Sequence, residues 1–145
     1  MDKIHLTVAA IVMQDNRFLM VREMDNGRAV INQPAGHVEA GEDVVAAAVR
    51  ETLEETGWHV ALKNFVGIYQ YQSPANGVTY YRLVFTATAI SIDTQHSLDP
   101  DIDEVLWMSI DDIRNSNLRS DLVIQCIEDF LEGRLFPLGI IRNRL

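Results

Sequence analysis

The chain of 145 residues is poor in cysteine, and its single thiol, Cys126, excludes an intrachain disulfide. It has only 4 prolines and 8 glycines, and no run of these residues or of serine marks a linker. No apolar stretch approaches the roughly 20 residues that span a bilayer, and Met1 to His5 do not begin a signal peptide. These absences predict a single domain over residues 1–145, located in the cytoplasm and making no membrane contact.

Positive charge is also scarce, because 12 Lys and Arg residues stand against 21 Asp and Glu residues, for a net charge of −9. A nucleic-acid binder neutralises phosphates with clustered Lys and Arg, so this composition argues against a nucleic-acid partner. The same acidity would repel an anionic small molecule unless divalent cations or local arginines reverse the field. A monomer and a homodimer are both compatible with the sequence.

Apolar patterning and turn signals predict strands on both sides of one strong helix. The predicted strands cover residues 4–13, 18–22, 29–33, 60–66, 67–72, 79–90 and 105–108. The strong helix covers residues 42–56, begins with an acidic pair, has an alanine-rich middle and ends at Gly57. Shorter helices are predicted at residues 111–114 and 121–131. This order indicates the α/β class, as an α/β/α sandwich with a central mixed β-sheet.

Carboxylates recur at fixed intervals along the strong helix. Glu51, Glu54 and Glu55 share one face, because each helical residue advances by about 100°. Three neighbouring carboxylates repel one another, so helix propensity does not explain them. A hard divalent cation does explain them, because Mg²⁺ and Mn²⁺ prefer oxygen ligands and bind carboxylates together with substrate phosphates. A solvated acidic helix face is the alternative.

These carboxylates belong to a spaced set of seven residues: Gly36, Glu42, Arg50, Glu51, Glu54, Glu55 and Gly57. The set fills every fixed position of the pattern G-x5-E-x7-R-E-U-x-E-E-x-G-U, where U is bulky and apolar, and on it the sequence resembles the Nudix hydrolase family. Thr52 and Trp58 depart from the pattern, since an aliphatic residue is usual at both positions. Both are packing positions, so the departures concern local packing rather than chemistry.

The resemblance implies a magnesium-dependent or manganese-dependent hydrolase in which a metal-activated water attacks the phosphorus of a phosphoanhydride. It implies that Glu51, Glu54 and Glu55 bind metal, together with the backbone carbonyl of Gly36. Arg50 is implied to orient these carboxylates. Family members differ in which residue is the catalytic base, so Glu54, Glu51 and a residue outside the spaced set all stay open.

A further metal-binding carboxylate is expected from the acidic segment that precedes Trp107. The candidates are Asp101, Asp103 and Glu104, and Asp101 is the one assigned to the metal. Acidic loop residues are by default simply solvated, so this assignment has a plain alternative.

Two segments outside the spaced set, residues 32–37 and 116–120, resemble the NudJ-like phosphatase subgroup of the family. The resemblance implies a small-molecule substrate, either a nucleoside di- or triphosphate or a thiamine-related pyrophosphate. The candidate substrate contacts are Arg22, Arg28, Arg119, Gln33 and His37, with Arg82 as a further guanidinium suited to phosphate. Each arginine considered alone is more often a surface residue.

Other readings of the chain are weaker. Residues 36–41 have the glycine spacing of a phosphate loop, but Glu42 and Asp43 stand where Lys and Ser or Thr are needed. Cys126 lies on the apolar stripe of a late helix and is expected to be a core residue rather than a nucleophile. Two functional alternatives stay open, namely a pyrophosphohydrolase for modified nucleotides or dinucleotides and a non-catalytic nucleotide-sensing module.

Overall fold

The structure is a computed structural model that describes residues 3–144. The first residues of the Met1–His5 segment and both ends of the predicted 1–145 domain therefore lie outside the described residues. In chain order the elements are β1 (Ile4–Gln14), β2 (Arg17–Asp25), β3 (Arg28–Asn32), β4 (Ala35–His37), α1 (Val44–Thr56), β5 (Trp58–Gln72), β6 (Thr79–Ile92), β7 (Ile102–Met108), α2 (Ile110–Arg114), α3 (Leu122–Leu131), β8 (Phe136–Pro137) and a 3₁₀ turn (Leu138–Ile140). None of the helices in this part of the chain is long and apolar enough to cross a membrane.

Every predicted strand and helix is present, with three differences in detail. The segments predicted at 60–66 and 67–72 form one strand, β5, because a bulge between Phe65 and Gly67 lets pairing with β6 continue. Strands β4 and β8 were not predicted, since three and two residues are too few to show a period. Helix α1 begins at Val44 rather than at residue 42, because Asp43 is its N-cap and accepts the N–H of Ala46 at 3.3 Å.

The central sheet is mixed, as predicted, with the order β3-β2-β1-β6-β5-β8. Strands β1 and β6 run parallel, and the other pairs are antiparallel. Strands β1 and β2 pair only next to their turn, at Met13–Phe18 and Gln14–Arg17. Beyond the turn, β1 joins β4 and β6 in a larger half-sheet with β5 and β8, whereas β2 joins β3 and β7 in a smaller half-sheet. A space therefore remains between the two half-sheets.

Helices cover both faces of the larger half-sheet, which confirms the sandwich. Alternate residues of β1 point in opposite directions, so Val8 packs with Phe85 and with Ala48 of α1. The next residue, Ala9, belongs to a second cluster with Ile127 of α3. The alternation places α1 against one face of the half-sheet and α3 against the other.

The two departures from the family pattern are accommodated locally. Thr52 is fully buried, and its hydroxyl donates to the carbonyl of Ala48 at 2.8 Å, so the buried polar atom is satisfied. Trp58 packs edge-to-face on Trp107, with ring centroids 5.6 Å apart.

Gly57 ends α1 with a φ of 78°, a left-handed conformation that glycine adopts without a Cβ clash. The free thiol of Cys126, a residue of α3, is buried in the same cluster as Ala9, as predicted for a core residue.

Candidate active site

A cavity of about 700 Å³ opens between the two half-sheets. Its wall includes Glu51 and Glu55 of α1, Glu23 of β2 and Arg82 of β6. The loop residues Asp99 and Arg119 complete it on two further sides. Its size suits a small organic molecule rather than a polymer.

One end of the cavity carries a cluster of carboxylates, which we name the carboxylate end. Glu51, Glu55 and Asp99 each offer an oxygen atom, and these atoms all lie within 4.8 Å of one another. The four-residue spacing of Glu51 and Glu55 puts both on one side of α1. Asp99 is held beside them because its N–H donates to the carbonyl of Glu54 at 3.2 Å. Three neighbouring carboxylates provide the oxygen-only donor set that a hard divalent cation prefers.

The electrostatics of the carboxylate end also favour a bound cation. Burial raises the pKa of Glu55 to about 8, although the N–H of Ala35 donates to its carboxylate at 2.9 Å. Burial likewise raises the pKa of Glu51, against the opposing effect of Arg50. A divalent cation would reverse this local field and stabilise the ionised carboxylates. The donor set therefore fits Mg²⁺ or Mn²⁺.

Gly36 lies directly against this cluster. A Cβ added at Gly36 would overlap the carboxyl group of Glu51, so any larger residue would displace that side chain. Gly36 also lines the cavity. The glycine at this position of the spaced set is thus explained by close approach of the backbone to a carboxylate.

Arg50 connects the carboxylates on the outer side of α1. Its Nε and Nη2 donate to the two oxygens of Glu42 at 2.6 and 2.9 Å, and its Nη1 donates to Glu51 at 2.9 Å. Nη1 also donates to Glu54 at 3.2 Å, and Nη2 donates to the carbonyl of His37 at 3.1 Å. The hydrogen bonds from Arg50 lower the pKa of Glu42 to about 2. This network fixes the side chain of Glu51 from behind and ties the loop before α1 to the helix.

The predicted metal ligands are only partly brought together. Glu51, Glu55 and Gly36 meet at the carboxylate end, and Asp101 lines the cavity without joining the cluster. Glu54 does not line the cavity; its side chain is 42% exposed and pairs with Arg50 at 3.2 Å.

Asp99 is the clustered residue that sequence reasoning missed. The other two candidates from the acidic segment, Asp103 and Glu104, are exposed, and Glu104 pairs with Arg22 at 2.9 Å. Asp99 precedes that segment and is separated from Asp101 by Pro100. Its backbone bond to Glu54, together with the contact of His96 with the same carbonyl, brings it to α1, and no residue pattern shows these contacts.

The predicted substrate contacts also divide into two groups. His37 and Arg119 line the cavity. Arg22 and Arg28 do not, because Arg22 pairs with Glu104 outside it and Arg28 is exposed at the start of β3. Gln33 is 1% exposed, and its amide donates to the carbonyl of Val123 and to the thiol of Cys126. Gln33 therefore tethers the end of β3 to α3 and does not reach the cavity.

A network of polar side chains, most of them buried, also lines the cavity, and we name it the arginine wall. Its members are Glu23, Asn32, Arg82 and Arg119. Asn32 donates to Glu23 at 3.0 Å and accepts from Arg82 at 3.0 Å. Arg119 forms an ion pair with the same oxygen of Glu23 at 3.0 Å. The sequence offers several arginines as candidate phosphate contacts. The structure shows that Arg82 is the buried one among them.

A group of four aromatic rings lies on the larger half-sheet. His5 and His37 share a hydrogen bond of 3.1 Å between ring nitrogens, and the ring of Tyr80 contacts both. Tyr71 lies beside Tyr80, with centroids 6.2 Å apart. Burial and the neighbouring His5 lower the pKa of His37. Most of these rings meet edge-to-face or tilted, and His37, Tyr71 and Tyr80 line the cavity.

Comparison with known proteins places this geometry in a family. The family model described as NUDIX domain matches residues 3–125. Phosphatase NudJ of Escherichia coli strain K12 and that of Shigella boydii serotype 4 are both 40% identical over 142 residues, covering 97% of this chain and 92% of theirs. A solved NUDIX hydrolase from Nitrosomonas europaea is 42% identical, covers 97% of both chains and superposes with a TM-score of 0.94.

Proposed function

Since this chain belongs to the Nudix family and is a hydrolase of phosphoanhydride-type substrates, we propose that it acts with Mg²⁺ or Mn²⁺ on nucleoside di- or triphosphates or on thiamine-related pyrophosphates. The carboxylate end carries the proposal, because Glu51, Glu55 and Asp99 converge on one side of a cavity of small-molecule size. The phosphatase activity in the name of the NudJ relatives supports release of phosphate.

The proposed metal ligands are Glu51, Glu55 and Asp99, together with the backbone carbonyl of Gly36, a residue that lies against Glu51. A divalent cation in this place supplies positive charge to phosphate oxygens and makes water a better nucleophile at neutral pH. Asp101 lines the same cavity and is proposed to contribute when substrate is bound. Glu54 does not line the cavity and is left out of the proposed set.

Glu51 is the proposed base that accepts the proton of the attacking water. It lines the cavity, and Arg50 fixes it from behind at 2.9 Å. The other candidate, Glu54, is held by the same arginine outside the cavity lining. A base must reach the proton that it removes, so position favours Glu51.

The substrate is proposed to extend from the carboxylate end toward Arg119, Arg82 and His37. Arg119 and Arg82 bring positive charge, and His37 brings a hydrogen-bonding ring, to a cavity that is rich in carboxylates. They offset part of the repulsion that an anionic substrate meets in a protein with a net charge of −9.

The proposal is tested by phosphate release from a panel of nucleoside di- and triphosphates and thiamine diphosphate, in Mg²⁺ and in chelator. Adding inorganic pyrophosphatase shows whether phosphate or pyrophosphate leaves, and therefore separates the phosphatase from the alternative pyrophosphohydrolase of modified nucleotides or dinucleotides. Metal-dependent release supports the proposal. Release that persists in chelator, or no release from any member by folded protein with Mg²⁺, contradicts it.

The choice of base is tested with Glu51→Gln and Glu54→Gln. We expect the first to lower kcat by about 100-fold or more, the scale of lost acid–base catalysis, and the second to have a smaller effect through Arg50. The reverse order would assign the base to Glu54.

A further inference from the structure

The loop of residues 93–101 joins β6 to β7 and carries Asp99 past the C-terminal end of α1. Both Asp99 and His96 meet the same carbonyl oxygen, that of Glu54 in the last turn of the helix. The N–H of Asp99 donates to this oxygen at 3.2 Å, and the ring nitrogen Nε2 of His96 lies 3.2 Å from it. A carbonyl oxygen can only accept a hydrogen bond, so Nε2 of His96 is the donor. The loop is therefore attached to the helix that carries both glutamates of the carboxylate end.

Asp99 depends on this attachment more than the two glutamates of the cluster do. Glu51 and Glu55 are fixed by the helix itself, and each carboxylate also accepts a hydrogen bond of 2.9 Å. Asp99 lies on a loop, so the path of the loop determines where its carboxylate can reach. The bond of 3.2 Å from its N–H to Glu54 is at the long end of the ordinary range. A second bond to the same carbonyl therefore matters for holding the loop in place.

His96 is placed to hold the loop and not to touch the substrate. It does not line the cavity, and it is half-buried beside the turn that ends α1. A Cβ added at Gly57 would lie 3.8 Å from the Cβ of His96, so the loop and the turn are in van der Waals contact. The N–H of His96 donates to the carbonyl of Asp93 at 3.2 Å, and the N–H of Asp93 donates to the carbonyl of Gly57 at 2.8 Å. A plain helix-capping role is the alternative, since histidine near a helix end can bond the last carbonyls.

We propose that His96 is a positioning residue for the metal site, because its Nε2–H holds the loop on α1 where the Asp99 carboxylate meets Glu51 and Glu55. With the loop attached, the oxygens of the three carboxylates lie within 4.8 Å of one another. The inference rests on the proposed function, since it requires a divalent cation at the carboxylate end. Residues that orient metal ligands from outside typically change metal affinity by about 10- to 100-fold when they are lost.

The test measures Mn²⁺ binding by calorimetry without substrate, at a temperature well below the Tm of every variant. His96→Phe keeps a ring and loses the N–H donor, whereas His96→Gln keeps a donor and loses the ring. His59→Phe is the control, because His59 is an exposed histidine on β5. Asp99→Ala removes the carboxylate through which His96 is proposed to act.

For His96→Phe we expect Mn²⁺ affinity to fall about tenfold. His96→Gln should recover most of this loss, because its amide N–H can donate to the same carbonyl. His59→Phe should bind Mn²⁺ like wild type. Unchanged Mn²⁺ affinity in His96→Phe overturns the proposal. If His96→Phe does not fold, His96→Ala takes its place with the same expectation.

The comparison that separates positioning from helix capping is made in Asp99→Ala. A residue that acts through Asp99 has nothing left to position there, so adding His96→Phe should change Mn²⁺ affinity by less than about twofold. If His96 only caps α1, the added change weakens binding as much as it does in wild type, and the proposal is overturned. Where Asp99→Ala binds too weakly to compare, rescue by His96→Gln decides, and failure of this rescue overturns the proposal.

Failure of this inference is distinguishable from failure of the proposed function. If wild type binds Mn²⁺ and Asp99→Ala weakens that binding while His96→Phe does not, the inference fails and the proposed function stands. If wild type does not bind Mn²⁺, the proposed function loses its metal and both fail.

Discussion

The two sides of the cavity have opposite electrostatic needs. At the carboxylate end, Glu51, Glu55 and Asp99 crowd together, and burial raises the pKa of the two glutamates. At the arginine wall, the buried guanidinium of Arg82 donates hydrogen bonds to two amide oxygens, and its charge is attracted by Glu23 and Glu55. One side is suited to receive a cation and the other to receive an anion.

This difference explains how a strongly acidic protein can bind an acidic substrate. The anion is repelled by the carboxylate end alone and attracted there once a divalent cation is bound. The two arginines of the wall, Arg82 and Arg119, add positive charge to the lining of the same cavity. A metal–diphosphate pair is complementary to both sides at once, whereas neither partner alone is.

The largest effect is expected from Glu55→Gln. Loss of this carboxylate removes one of three converging oxygens, so we expect kcat/KM to fall by about 1000-fold, as for essential members of a catalytic group. Glu39→Gln is the control, because Glu39 is an exposed residue at the cavity rim and carries the same charge. Steady-state phosphate release should show a change within about threefold for Glu39→Gln. Equal losses for both variants would mean that general negative charge, rather than this cluster, matters.

The next effect is expected from Gly36→Ala. Its Cβ would overlap the Glu51 carboxyl group, so Glu51 must move away from its partners. We expect kcat to fall by about 10- to 100-fold, the size typical of misplaced ligands. Gly139→Ala meets no atom within 4 Å and should leave turnover unchanged. Full activity of Gly36→Ala would show that the position of Glu51 is not critical.

A smaller effect is expected when metal is added, and it is measured as a change in Tm. Mg²⁺ or Mn²⁺ should raise the Tm of wild type by about 3 to 6 °C at saturating metal, because the ion binds only the folded cluster. Glu55→Gln should show little or no metal shift, yet have a higher Tm than wild type in chelator, since a buried carboxylate is removed. Calorimetric scans in metal and in chelator measure both. A Glu55→Gln Tm below that of wild type in chelator would contradict the account.

The smallest effect concerns Cys126, remote from the chemistry. Burial raises the pKa of this thiol from its ordinary value of 9.0 to about 11. The folded protein therefore keeps the thiol proton to a higher pH than the unfolded chain does. The stability that comes from burying the neutral thiol is complete below pH 9 and is lost as the pH rises toward 11. Between those values, the free energy of unfolding of wild type should fall more steeply than that of Cys126→Ala. Parallel slopes in urea titrations would refute the burial argument.

Much of the fold and of the carboxylate end could be predicted from local sequence. Turn residues and apolar periods predicted every main strand and helix, because those signals act over a few neighbouring positions. The spacing of Glu51 and Glu55 likewise placed them together, since it is a property of one helix. The missing pieces, β4 and β8, are too short to show a period.

The arginine wall and Asp99 depend on contacts between distant parts of the chain. Asp99 is held by a backbone bond to Glu54, and Arg82 reaches Asn32 from a different half-sheet. Gln33, Arg22 and Arg28 were plausible substrate contacts by residue type, but their directions follow from tertiary packing. Side-chain type predicts what a residue can bind, and only the assembled sheet determines whether it faces the cavity.

The most direct test of the account is the coupling between cation and anion. Imidodiphosphate binding is measured by calorimetry with wild-type protein in saturating Mn²⁺ and in chelator. The account predicts an affinity at least about tenfold higher with Mn²⁺, within the range usual for coupled sites. Equal affinity in the two conditions would contradict it, because the carboxylate end would then play no part in receiving the phosphoanhydride.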